Sequence, residues 1–182
     1  LDLNPLGGQN YLRFNHLEPP FDNPKVRRSA MAALNQEMFL QVQVGVPELY
    51  RTCLSVYPCK TRYATTKGMD VVAEQNPART RQLLEESGYS GTPIILLQAT
   101  DLAISHKLPV VAAQLLRQAG FIVDMQPMNW QSLVSRRARK TGWHLRRRRR
   151  WARGWHPPCP PRRTLRGTAG PAAYRVRPVG HV

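Results

Sequence analysis

The feature that most constrains the fold is the apolar run PIILLQ, residues 93–98, which lies between two segments with helical periodicity. A strand that is apolar at nearly every position needs cover on both faces, as in a parallel sheet flanked by helices. The helix before the run is predicted to begin at Asn76-Pro77 and to end at Gly88, because asparagine caps a helix, proline fits its first turn and glycine allows the left-handed stop. The helix after it covers about residues 106–119. This alternation predicts an α/β fold.

The rest of the first 143 residues continues the alternation and adds one long loop. Because helices separate the successive strands, we expect a largely parallel sheet. The stretch from Val46 to Asn76 shows no clear periodicity, and such loops inside a compact domain tend to be functional or to pack against another part of the protein. The other predicted elements are a strand at Tyr11–His16, a helix from Pro24 to about Val44 capped by Asn23, a strand at Phe121–Pro127 and a last helix capped by Asn129.

Charge divides the chain at one point. The 182 residues carry a formal net charge of +16, yet residues 1–143 hold 16 basic and 11 acidic side chains, whereas residues 144–182 hold eleven arginines and neither lysine nor acid. A segment with so much like charge and so few apolar residues does not build a core. We therefore predict an α/β unit at residues 1–143 and a disordered Arg/Pro-rich tail at residues 144–182.

Several function classes leave no trace in the sequence. The motifs G-x-S-x-G, H-E-x-x-H, G-x-x-x-x-G-K-[ST] and G-x-G-x-x-G do not occur, so we predict neither enzymatic activity nor a cofactor. Three cysteines and five scattered histidines show no paired ligand spacing, so no metal site is predicted. No run of about 18 apolar residues is present. The first residues lack the pattern of a signal peptide, so we expect a processed chain or a fragment.

The tail supports an alternative function. Five consecutive arginines flanked by Trp143, Trp151 and Trp155 provide groups that contact phosphates and stack on bases. The alternative hypothesis is therefore a basic nucleic-acid-binding protein that uses its C-terminal tail.

Some residues allow two interpretations each. Cys53 and Cys59 either close a small disulfide loop in an exported protein or remain free thiols. Asp101, which follows the apolar run, lies either where α/β folds bind ligands or at the cap of the next helix, and we favour the cap. We expect Trp130 in the core, and the run Arg136-Arg137-Arg139-Lys140 on a solvated face.

Four blocks of the sequence resemble one known family, in the family's own order. They are YLRFNHLEPPFDNPKVRRSAMAALNQEMFL, TCLSVYPCKTRYATTKGM, ARTRQLLEESGYSGTPIILLQATDL and VVAAQLLRQAGFIVDMQPMNWQSLVSRRARKTGW, which together cover about Asn10–Trp143. They resemble the extracellular solute-binding proteins of family 5, the peptide-, nickel- and opine-binding receptors of bacterial ABC importers. The resemblance stops at Gly142-Trp143.

The resemblance implies a partial lobe, from the C-terminal half, of a two-lobed, type II-like periplasmic binding protein that closes over its ligand. It implies the substrate-binding component of an importer for peptides or peptide-like solutes, located in the periplasm, with a membrane permease as partner of the intact protein. We expect a monomer without a specific nucleic-acid partner. The family's block with an acidic residue that holds a peptide's amino group is missing after Trp143, so we expect no ligand binding with native affinity.

The resemblance also implies roles for single residues. The family places cleft-facing surface on the long loop and near the end of the first strand, which makes Asn15, Tyr57 and Thr61 the candidate ligand-binding residues. A subgroup of the family carries a C…S…PC pattern in this loop, which implies a disulfide between Cys53 and Cys59. Because the likeness ends where the arginine-rich composition begins, we interpret residues 144–182 as a frameshift product, a GC-rich segment read in another frame.

Overall fold

The computed structural model describes residues 8–103 and 106–151, and its helices and strands alternate as in an α/β protein. In chain order they are β1 (Gly8–Phe14), α1 (Pro24–Ala33), α2 (Gln36–Gln43), a 3₁₀ turn (Pro47–Leu49), α3 (Asp70–Glu74), α4 (Pro77–Glu86), β2 (Ile94–Ala99), α5 (Lys107–Gln118), β3 (Val123–Met128), α6 (Trp130–Ala138) and β4 (Leu145–Trp151). None of the helices in these ranges is long and apolar enough to cross a membrane.

The four strands form one sheet in the order β1-β4-β2-β3. β2 pairs in parallel with β3 on one side and with β4 on the other, and β4 pairs antiparallel with β1. Two of the three pairings are thus parallel, and the predicted α/β fold is confirmed. The short parallel pairing of β4 with β2 begins at Leu145 opposite Leu96.

The central strand β2 is buried on both faces, as its apolar sequence predicts. Ile94 and Leu96 are 0% exposed and belong to a core cluster with residues of α1 and α5. Leu97 lies in a second cluster with Leu133 of α6 and Trp143. Burial of a side chain of this size contributes about 1.5–3 kcal/mol, so β2 helps to hold the helices on both faces to the sheet.

The helix predicted from Pro24 to about Val44 is in fact two helices. Leu34 has extended backbone angles, φ −89° and ψ 127°, and ends α1. The side chain of Asn35 then accepts a hydrogen bond from the Met38 N–H at 3.1 Å and caps α2. Asparagine favours this arrangement because its side chain competes for backbone N–H groups within a helix. The apolar periodicity of the segment conceals the break.

The first residues of the predicted tail form an inner strand, which corrects the boundary after Trp143. Each residue of β4 is in register with a residue of β1, and Leu145 is fully buried. The ladder is made by backbone groups, so a run of arginines is able to occupy it although its charge predicts disorder. The rest of the predicted tail, residues 152–182, lies outside the described residues.

Candidate ligand-binding surface

The long irregular stretch contains a segment, residues 50–69, that we call the disulfide loop. Three side chains hold it against the rest of the fold. The amide of Gln36 makes two hydrogen bonds with the backbone of Cys53, accepting from its N–H at 2.8 Å and donating to its carbonyl at 2.9 Å. The Tyr50 hydroxyl donates to Glu37, and the Tyr11 hydroxyl of β1 donates to the Val56 carbonyl at 3.0 Å. The loop therefore lies over the start of α2 and beside β1.

The interior of the loop is closed by covalent and polar contacts. Cys53 and Cys59 form a disulfide with an S–S distance of 2.07 Å. The buried Ser55 hydroxyl accepts hydrogen bonds from the N–H groups of Tyr57 at 3.1 Å and Thr65 at 3.2 Å. These contacts fix the path of a segment that has no helix or strand of its own, so its exposed side chains are presented from a defined backbone.

Two of the three predicted ligand-binding residues lie in this loop. Tyr57 is half-buried, and its ring centroid is 6.0 Å from that of Tyr63. The Thr61 hydroxyl donates to the Pro58 carbonyl at 2.8 Å, so its proton closes a turn while its oxygen still has acceptor capacity. Arg62, which belongs to no recognisable sequence motif, has its guanidinium carbon 4.7 Å from the centroid of the Tyr63 ring.

The third predicted residue, Asn15, has a different environment. Its side chain is buried, and its two N–H groups donate to the carbonyls of Lys140 at 2.9 Å and Trp143 at 3.0 Å. Its backbone N–H donates to the His144 carbonyl at 2.9 Å, and its side-chain oxygen accepts from Leu17 N–H at 3.3 Å. Asn15 thus joins the end of β1 to the segment that enters β4, and both its side-chain donors are engaged within the protein.

A second polar group lies where β2 and β3 end, at the edge that binds ligands in open α/β sheets. The Gln98 side chain is buried and donates to the His106 carbonyl at 2.8 Å. The Asp101 carboxylate accepts from the Trp130 N–H at 2.8 Å, at the start of α6, whose N-cap is Asn129. The expectation that Asp101 caps the next helix, α5, is wrong, because the N-cap position of α5 is His106. Trp130 itself is half-buried and packs on the second core cluster. The sequence signal that could have found Gln98 is its place as the one polar residue of the run PIILLQ.

His144 is the buried histidine beside β4. Its Nδ1 atom accepts a hydrogen bond from the Ile95 N–H at 2.9 Å, and its backbone N–H donates to the Ile95 carbonyl at 3.0 Å. Burial lowers the pKa of His144 below its usual value, and the charge of Glu18 opposes this effect. The neutral ring extends the contact between β2 and the start of β4, and it is not part of an exposed surface.

Metal binding has no geometric basis in the described part of the chain. No group of three or more His, Cys, Asp or Glu side chains gathers there at distances that suit a metal ion. Cys53 and Cys59 are joined to each other. The polar contacts described above lie at two surfaces, the disulfide loop and the ends of β2 and β3.

Comparisons with known proteins bear on the same region. The family model described as bacterial extracellular solute-binding proteins, family 5 Middle, matches residues 3–171. The match extends past Trp143, where the sequence analysis has the resemblance end, and it includes all of β4. The family consists of binding proteins and not of enzymes.

Individual relatives agree with the family model. The "probable peptide ABC transporter periplasmic-binding protein y4tO" of Sinorhizobium fredii is 30% identical over 149 residues, which are 79% of this chain and 28% of that protein. The glutathione-binding protein GsiB of Salmonella choleraesuis is 30% identical over 122 residues, 66% of this chain and 23% of that protein. The chain thus spans less than a third of the length of either relative.

A solved structure shows the fold. The ABC transporter substrate-binding protein CtaP of Listeria monocytogenes matches with a TM-score of 0.71 at 19% identity, over 81% of this chain and 30% of that one. At this identity the likeness concerns the fold alone, and it agrees with a partial lobe of a two-lobed binding protein. The chain belongs to the bacterial extracellular solute-binding proteins of family 5.

Proposed function

We propose that this chain is part of the periplasmic substrate-binding component of an ABC importer for peptides or peptide-like solutes. The observation that carries the proposal is the 30% identity over 149 residues to a protein described as a peptide ABC transporter periplasmic-binding protein. The intact protein works as a monomer that delivers its ligand to a membrane permease. In this role it binds and releases its ligand without changing a covalent bond.

In this proposal the chain supplies one wall of a ligand site. The disulfide loop presents Tyr57 and Thr61 from a backbone fixed by Gln36 and Ser55, and a fixed backbone reduces the entropy lost on binding. The ends of β2 and β3 add Gln98 and Asp101 at the sheet edge where α/β folds bind ligands. A second lobe closes over this wall and excludes water, which strengthens the polar contacts to the ligand.

The test is an NMR titration of the full chain with di-, tri- and tetrapeptides. We expect saturable shifts in the disulfide loop with a dissociation constant weaker than about 1 μM, because one wall makes only part of the contacts. A complete lack of shifts in the described residues would overturn the proposed wall. Binding at 1 μM or tighter would instead overturn the requirement for a second lobe.

The alternative, a nucleic-acid-binding protein, receives no support from the comparisons. The side chains of the arginine run after Arg146, as well as Trp155, lie outside the part of the chain whose side chains are described. Nonspecific DNA binding that disappears when residues 152–182 are deleted would be a property of the segment's charge and not evidence for this function.

A further inference from the structure

The disulfide loop concentrates positive charge. Between Glu48 and Asp70 the sequence holds four basic residues and no acid; the basic residues are Arg51, Lys60, Arg62 and Lys67. The two ion pairs found among the described residues join Arg28 to Asp70 and Arg79 to Glu86, so neither neutralises Lys60, Arg62 or Lys67. The loop is therefore an electropositive surface in a part of the fold that is only mildly basic.

One of these cations is held in place by an aromatic side chain. Arg62 donates to the Tyr63 hydroxyl, and its guanidinium carbon lies 4.7 Å from the centroid of the same ring. The Tyr63 ring in turn lies 6.0 Å from the ring of Tyr57, on a backbone closed by the disulfide. Contact with an exposed ring stabilises a cation and biases the Arg62 side chain toward one position.

We propose that Arg62 determines the specificity of the disulfide loop by binding a carboxylate of the ligand, with the rings of Tyr63 and Tyr57 packing against the group that carries it. This inference rests on the proposed function, since it assigns the peptide chemistry recognised by the same wall. A guanidinium is suited to the task because its planar N–H donors match the two oxygens of a carboxylate. The single hydrogen bond to Tyr63 leaves donors that meet no acceptor among the described residues.

A peptide offers a carboxylate in two places, at its C-terminus and on an Asp or Glu side chain. Two matched pairs of peptides separate these sources. The first pair is acetyl-Ala-Ala as the free acid and as the amide. The second pair is acetyl-Ala-Asp-Ala-amide and acetyl-Ala-Asn-Ala-amide. In each pair the members differ in the carboxylate alone, so a difference in affinity reports on that group.

The full chain is titrated with each peptide while the ring signals of Tyr57 and Tyr63 are followed by NMR. We expect the carboxylate member of at least one pair to bind about tenfold more tightly than its neutral partner, as for one charge-assisted hydrogen bond. Arg62→Gln should abolish that difference and Arg62→Lys should keep part of it. Lys67→Gln removes the same charge from the same loop and should change affinity by less than about twofold, since its charge is largely screened.

Equal affinity within both pairs, or equal effects of Arg62→Gln and Lys67→Gln, would overturn the role of Arg62 and leave the proposed peptide binding intact. If no peptide shifts any signal, the proposed function fails for this chain. In that case the carboxylate site is tested separately, by titrating the full chain with acetyl-aspartate. Saturable shifts of the Tyr63 ring that are absent in Arg62→Gln would support the site, and the absence of such shifts in the wild type would overturn it.

Discussion

The disulfide loop and strand β4 are both rich in basic residues, yet different forces hold them in place. The loop depends on particular side chains: the Gln36 amide, the Ser55 hydroxyl and the disulfide. β4 depends on backbone pairing with β1 and β2 and, among its described side chains, on the buried Leu145. The comparison teaches that a region's charge does not predict its order, because a backbone ladder and specific side-chain contacts are each able to hold a basic segment in place.

The largest expected effect is on β4. Leu145→Ala should lower the free energy of unfolding by about 2–5 kcal/mol, because Leu145 is fully buried between the two flanking strands. Urea denaturation measures the change, and Leu17→Ala, at a residue 68% exposed, is the control with an expected change below about 0.5 kcal/mol. Equal effects of the two substitutions would show that β4 is not part of the core.

The disulfide should matter next. Replacing both Cys53 and Cys59 by serine opens a short loop, with an expected loss of about 2 kcal/mol. The effect should be concentrated in the loop. The amides of Tyr57 and Thr65 should therefore exchange faster with deuterium in the variant than in the wild type, whereas exchange of the β2 amides should change less. Unchanged exchange in the loop would mean that the anchors from Gln36 and Tyr11 suffice.

Substitution of Asn15 distinguishes between a structural role and a ligand-binding role for this residue. Asn15→Ala leaves the carbonyls of Lys140 and Trp143 without their donor and should cost about 1–3 kcal/mol. Gln131→Ala, at an exposed position of α6, is the matched control for loss of an amide. If Asn15→Ala keeps its stability but loses peptide binding, the ligand contact predicted from the sequence is right and the structural role is wrong.

The smallest expected effect is a dependence on pH. Because burial holds the pKa of His144 below 6.5, the unfolded chain binds the proton more tightly than the folded chain does. The contribution of His144 is therefore fully present above about pH 6.5 and is lost as the pH falls toward the native pKa. Urea midpoints at about pH 7.5 and 5.5 should differ less in His144→Gln than in the wild type. A larger difference between the two midpoints in His144→Gln than in the wild type would contradict the hydrogen bond from the Ile95 N–H to the neutral ring. His106→Gln is the control.

Local signals predicted the middle of the fold well. Asn76 caps the start of α4, and Gly88, which follows the C-cap residue Ser87, has a φ of 73°, as expected from the two residue types. β4 was missed because its pairing is made by the backbone and leaves no pattern in a run of arginines. The end of α1 at Leu34 was missed because apolar spacing continues through it.

Fewer contacts of the candidate site could be predicted from the sequence. The contact of Gln36 with Cys53 joins residues far apart in sequence, and no local pattern announces it. Tyr57 and Thr61 were reached through the family resemblance, and their ligand contacts remain predictions. Arg62 lies directly after Thr61, but its position on the Tyr63 ring is visible in three dimensions alone.

The most direct test of the account is a search for intermolecular NOEs between a bound tripeptide and the full chain. The account predicts cross-peaks from peptide protons to the rings of Tyr57 and Tyr63 in the disulfide loop. Cross-peaks confined to residues outside the disulfide loop, such as residues 152–182, would contradict it.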